Sequence, residues 1–245
     1  MNHIYKNTKI NYNILENGEN LVVFLHGWGA GSDLMKPLAQ TLSKKCDISC
    51  LLIDFPPFGK SDEPNDVWTI YDYKNLTKEI ILECLKEEKY KTITIVGHSF
   101  GGRIAILLAG EEFTKNIVLI SSAGIKYRPI SVKLKILFYK ILKKFKYKNL
   151  NKFGSSDYKN LNSKMKLTFT NIVNEDLSLF CKKINKPCLI IAAEKDKQTP
   201  LKMQKKLNKL IKNSKFIILK NEDHFGYLKN LNYVSDVIKF FCNFC

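Results

Sequence analysis

Six short apolar runs punctuate the chain: LVVFL (21–25), ISCLLID (48–54), TITIV (92–96), NIVLIS (116–121), CLIIAA (188–193) and KFIIL (215–219). Too short for helices and without polar alternation, they predict strands buried on both faces. Between them apolar residues recur every three or four positions, in LMKPLAQTLSKK (34–45), YDYKNLTKEIILECLKEEKY (71–90), RIAILLAGEEF (103–113), TPLKMQKKLNKLIK (199–212) and YVSDVIKFFCNF (233–244). That spacing predicts amphipathic helices. Strand and helix in turn predict an α/β fold, a mostly parallel central sheet with helices on both faces. The short alternation in HIYKNTKINYNIL (3–15) predicts an antiparallel pair at one edge.

The pattern breaks once, between Ser121 and Lys186, where no comparable apolar strand occurs. The heart of this stretch, PISVKLKILFYKILKKFKYK (129–148), has helical spacing, with Ile130, Leu134, Leu137, Ile141 and Phe145 in one stripe. Long connections are usually functional or folded in their own right. The expected organisation is one domain over 1–245 with a helical lid insertion, 122–186, across the open end of the sheet.

Composition narrows the classes. With 245 residues and 45% hydrophobic content, the chain can bury one large core. It has no apolar run of membrane-spanning length, and its first twenty residues lack a secretory signal's apolar middle and cleavage site, so a soluble cytoplasmic protein is expected. Seven irregularly spaced cysteines fit free thiols better than a disulfide framework. Cys242 and Cys245 form a C-x-x-C without a second pair, and only four histidines are present, so neither a metal nor a cofactor is expected.

The formal charge of +17 suggests nucleic acid, yet 38 of the 40 basic residues are Lys, and Arg is what supplies forked phosphate recognition. No nucleic-acid partner is expected. From Phe113 to Ser156 there are eleven basic residues and no acidic one. Solvated lysines on the outer face of a lid explain this; the functional alternative is attraction of an acidic carrier protein or an anionic surface.

In an open parallel sheet, ligands bind beyond the carboxyl ends of the strands. Four polar or aromatic residues follow apolar runs there: Trp28, Ser99, Asp196 and His224. Gly97 to Gly101, G-H-S-F-G, matches a nucleophile elbow in which small residues let a serine sit in a tight strand-to-helix turn. The turn also sets Ser99 at a helix N-terminus, which favours developing negative charge. A serine needs a base, and the base needs an acid to hold its tautomer. His224 is the candidate base and Asp196 the candidate orienter, in the chain order Ser, Asp, His at intervals of 97 and 28 residues. His26 lies within the H-G turn, His98 should point away from Ser99, and His3 is near the terminus. Asp223 would have to curl back on its own backbone to reach His224. The oxyanion donors expected are the backbone amides of Phe100 and Trp28.

With these residues in place, the sequence resembles the alpha/beta-hydrolase superfamily. H-G-W-G (26–29), D-F-P-P-F-G-K-S-D (54–62), G-H-S-F-G-G (97–102), the Asp196 turn and D-H-F (223–225) fall in that family's order over nearly the whole chain. The H-G-W-G turn is similar to that of pimeloyl-carrier-protein methyl esterases and related carbon-carbon bond hydrolases. Two departures leave the reacting groups intact: Asn221 to Asp223 replace a common glycine-rich lead-in, and Ala193 stands at the glycine of G-x-x-D. The resemblance implies a cofactor-independent serine hydrolase acting on a small-molecule carboxylic ester. Thioester, peptide or carbon-carbon bond hydrolysis uses the same core, and a catalytically silent ligand-binding protein is the alternative of another class. A dinucleotide reading of HGWGAGS puts Ser32 at the third glycine and leaves Ser99, Asp196 and His224 idle.

Overall fold

The computed structural model describes residues 1–126 and 161–244. Eight strands form one sheet: β1 (Asn2–Tyr5), β2 (Thr8–Leu15), β3 (Asn20–Leu25), β4 (Ile48–Ile53), β5 (Thr92–His98), β6 (Thr114–Ile120), β7 (Cys188–Ala193) and β8 (Ser214–Leu219). Their spatial order is β1-β2-β4-β3-β5-β6-β7-β8. β1 and β2 pair antiparallel, β2 lies antiparallel to β4, and every later pairing is parallel. The expected edge pair is therefore present, and it joins the sheet through β4.

The strands separate two apolar cores because side chains alternate across a pleated sheet. Leu21, Val23 and Leu25 of β3 enter one core and Val22 and Phe24 the other. The first core is covered by α2 (Ile70–Leu85), α3 (Phe100–Leu108) and α6 (Leu201–Leu210), the second by α1 (Lys36–Ser43) and α7 (Leu231–Cys242). Burying a Leu or Ile side chain contributes about 1.5–3 kcal/mol before entropy, so these faces carry most of the driving force.

One strand departs from expectation. β8 is only partly buried, with Leu219 its one buried position, because it is the terminal strand and among the described residues nothing pairs with its outer edge. Its apolar run alone gave no sign of that position. Within the stretch 122–186, the described residues form α4 (Ser163–Asn174) and α5 (Ser178–Lys183); the helix expected over 129–148 lies outside the described residues. Asn162 caps α4 by accepting from the Met165 N–H at 2.9 Å. The Trp68 N–H donates to Thr168 Oγ1 at 3.0 Å, tying α4 to the segment before α2.

β3, β5 and α3 cross with almost no room between their backbones. A Cβ on Gly97 would lie 2.5 Å from the Gly101 carbonyl oxygen, and one on Gly101 would strike the Leu25 carbonyl. Both obstacles are backbone and cannot rotate away. Gly101→Ala is expected to lower stability by roughly 2–4 kcal/mol, read from urea unfolding, while an unchanged midpoint would contradict this packing.

Candidate active site

Ser99 stands between the end of β5 and the first turn of α3 with φ 52° and ψ −110°. Non-glycine residues in such sparsely populated conformations carry about 1–3 kcal/mol of strain and persist where the surroundings fix them. Here the Ser99 N–H donates to the Ile120 carbonyl at 3.1 Å, and the Ser99 carbonyl accepts from Gly102 and Ala123 at 3.1 and 3.0 Å. The side chain is half-buried at the mouth of a cleft.

Asp196 follows β7 and His224 follows β8, and the structure joins them. His224 Nδ1 lies 2.7 Å from Asp196 Oδ2, with both residues buried. Asp196 also accepts from the N–H groups of Gln198 (2.8 Å) and Thr199 (2.9 Å) and from the Thr199 hydroxyl (2.6 Å). Burial raises a carboxyl pKa, but the bonds from His224 and Thr199 outweigh it and hold Asp196 at about 2. An ionised carboxylate only accepts, so the proton of this hydrogen bond is carried by His224 Nδ1. Thr199 lines the same cleft as Ser99. Among the described residues Ser99 and His224 are not hydrogen-bonded to each other.

The other histidines are occupied elsewhere. His26 Nε2 accepts from the Phe55 N–H at 2.8 Å while Nδ1 lies 2.8 Å from the Gly27 carbonyl, and burial pushes its pKa down to about 4. His3, on β1, meets Glu79 and Glu83 of α2. Asp223 is exposed and accepts from the Phe225 N–H, so it does not orient His224. His98 has a role that sequence reasoning missed. Its Nε2–H donates to the His224 carbonyl at 3.1 Å, and the two rings lie 4.8 Å apart, so it braces His224 from behind. Desolvation holds its pKa near 3, which keeps it neutral. The histidine inside G-H-S was its only trace in the sequence.

Trp28 and Phe100 close the other side. The Gly101 N–H donates to the His26 carbonyl at 3.0 Å, which locks the H-G-W-G loop onto the elbow. A Cβ on Gly27 would sit 3.3 Å from Ser99 Cβ, so the loop passes directly against the serine. Phe100, first residue of α3, has no intrahelical partner for its N–H; among the described residues neither it nor Trp28 donates to a backbone carbonyl outside a helix or strand. The Trp28 ring packs edge-on against Phe58, Phe100 and Phe169 at 5.0–5.4 Å. Behind the loop, Asp54 accepts from the Ser32 N–H (2.7 Å), the Lys60 N–H (3.0 Å) and Asn11 Nδ2 (2.8 Å). Burial raises its pKa, and these donors more than reverse that.

The cleft has a volume of about 420 Å³. Its floor is Ser99, Phe100 and Arg103, and α4 contributes Phe169, Ile172 and Val173 to its wall. Among the described residues no group of three or more His, Cys, Asp or Glu side chains gathers to hold a metal, and no helix is long and apolar enough to cross a membrane. Cys242 is buried, its thiol pushed up to about 12 by desolvation, and Cys245 lies outside the described residues.

A family model described as alpha/beta hydrolase fold matches residues 20–168, more than half of the chain. The chain belongs to the alpha/beta-hydrolase fold family. A second model, described as TAP-like protein, matches residues 171–243 of this hydrolase. A pimeloyl-[acyl-carrier protein] methyl ester esterase of Wigglesworthia glossinidia brevipalpis is 27% identical over 264 residues, covering 94% of this chain and 96% of that protein. An uncharacterized hydrolase of Bacillus subtilis (strain 168), YugF, is 33% identical over 112 residues, which span 44% of this chain and only 39% of that relative. Among solved structures, an esterase from Exiguobacterium antarcticum superposes with a TM-score of 0.73 at 19% identity, over 96% of each chain, a likeness of fold.

The Asp196 pair also sets an acid limit. A folded pKa of about 2 against the ordinary 3.8 means the pair stabilises the hydrolase above the unfolded value and stops doing so as pH falls through the folded one. At about 1.4 kcal/mol per unit this is roughly 2 kcal/mol. Between pH 4 and pH 2 the wild type should lose about that much more unfolding free energy than Asp196→Asn, measured by urea titrations at each pH. Equal losses would contradict the assignment.

Proposed function

We propose that this chain hydrolyses a carboxylic ester through an acyl-enzyme on Ser99, with His224 as general base and acid and Asp196 as its orienter. The observation that carries the reading is the buried Asp196–His224 pair beside a cleft whose floor is the strained Ser99. Ser99 Oγ attacks the carbonyl carbon while His224 Nε2 takes the hydroxyl proton. The N–H groups of Trp28 and Phe100 bind the oxyanion that forms, each donor worth about 3–4 kcal/mol. Collapse breaks the ester C–O bond, and His224 gives its proton to the leaving alcohol. Water then attacks the acyl group with His224 as base, the acid departs, and the proton returns to Ser99. The Ser–His hydrogen bond needed for the first step is of the kind that tightens when substrate is seated.

The relative named as a methyl ester esterase, matched over 94% of this chain, supports an ester as the bond cleaved. That relative's substrate rides on a carrier protein, and the eleven basic residues between Phe113 and Ser156 support an acidic carrier as partner here as well. In this reading 122–186 is the lid, with α4 as the part that walls the cleft.

Ser99→Ala should reduce kcat/KM for a short p-nitrophenyl ester by about 10⁴-fold or more and abolish labelling by a fluorophosphonate, with unfolding unchanged. Retention of turnover within tenfold of wild type would overturn the reading.

A further inference from the structure

Arg103 stands apart from the other basic residues of the chain. It is one of two arginines among 40 basic residues, it is 6% exposed, and it lies one helical turn after Ser99 on α3, in the floor of the same cleft. A guanidinium offers five N–H donors and cannot lose its charge at working pH. Among the described residues only one of those donors is used, Nη1 to the Glu175 backbone carbonyl at 3.0 Å. The nearest carboxylates are already engaged: Asp176 accepts from Ser178 and the Lys126 N–H, and Glu175 from the Tyr71 hydroxyl. Neither forms an ion pair with Arg103, although both help keep it charged against its burial. A mostly buried guanidinium with donors to spare beside a cleft is well placed to bind an acceptor there.

The described walls of the cleft supply none of opposite charge, since Arg103 is the one ionisable residue among those lining it apart from Ser99's own hydroxyl. The rest is aromatic, aliphatic, or the uncharged Gln198 and Thr199. A single planar fork facing an apolar cleft matches one carboxylate bidentately; a doubly charged phosphate would need a second cation that this wall does not provide. One turn of helix, about 5.4 Å of rise, separates Arg103 from the nucleophile, a span that a few methylenes bridge.

We propose that Arg103 is a specificity-determining residue that binds a carboxylate on the substrate, so that the preferred ester is a hemiester of a short dicarboxylic acid. The inference rests on the ester-hydrolase reading above and names its substrate class as a free hemiester, in place of the carrier-borne ester considered there. Ser99 acts on the esterified end, and Arg103 holds the free acid end across the apolar floor.

The test compares kcat/KM for monomethyl and dimethyl esters of the straight-chain dicarboxylic acids from succinate to suberate. The wild type should favour the best monomethyl ester over its own dimethyl ester by at least tenfold, despite the extra scissile bond of the diester. Arg103→Gln should reduce that ratio at least tenfold, and Arg103→Lys, which keeps the charge without the fork, should fall between. Calorimetric titration with the free dicarboxylate of the same length needs no turnover, and binding should weaken at least tenfold in Arg103→Gln. A wild-type ratio of one or less, or the same ratio and the same dicarboxylate affinity in the Gln variant, overturns the proposal and leaves Arg103 a clamp on Glu175. If the Gln variant does not fold, the wild-type ratio and the Lys variant decide. If no ester of any kind is hydrolysed, the ester reading fails, and the calorimetric titration alone decides the role of Arg103.

Discussion

A serine at φ 52° between a buried strand and a buried helix is tolerable only because β5 and α3 approach each other with no side chain between them. Gly97 faces the Gly101 carbonyl, and Gly101 faces the carbonyl at the end of β3. That approach brings the His26 carbonyl within reach of the Gly101 N–H, which fixes the H-G-W-G loop and carries Gly27 past Ser99. The few kcal/mol of strain at one residue are offset by cores on both faces of the sheet. The proposed oxyanion donors, on the loop and at the helix start, thus depend on one packing decision.

Electrostatics then sort four histidines by what surrounds them. His26 and His98 are desolvated and neutral; His26 bridges the Phe55 N–H and the Gly27 carbonyl, and His98 donates to the His224 carbonyl. His3 rests on two glutamates at the surface. His224 alone has a buried carboxylate, and that carboxylate is held ionised by donors from Thr199 as well as from His224 itself. The same low-dielectric surroundings sharpen the contrast at Arg103, a charge placed beside the cleft with no ion-pair partner among the described residues.

Much of this was legible in the sequence because it is periodic or local. The central strands were readable as unbroken apolar runs, and β7 falls on the expected residues, 188–193. The elbow was readable from its glycines, and Asp196 and His224 from their position just beyond strands. Less legible were features set by distant partners. Nothing in KFIIL says that β8 is an edge strand; that follows from sheet order. His98 was expected to point away from Ser99; what it points to, the His224 carbonyl 126 residues on, was not legible. Arg103 reads as one polar residue in an apolar helix until α4 and the end of β5 enclose it.

The central claim is that a covalent acyl group passes through Ser99. Intact mass spectrometry of the protein quenched in acid during turnover of a slowly deacylated ester tests it most directly. The account predicts a mass increase equal to the acyl group, mapped by peptide fragmentation to Ser99 and absent from Ser99→Ala. Turnover of the same ester with the acyl group on another residue, or with activity in Ser99→Ala matching the wild type, would contradict it.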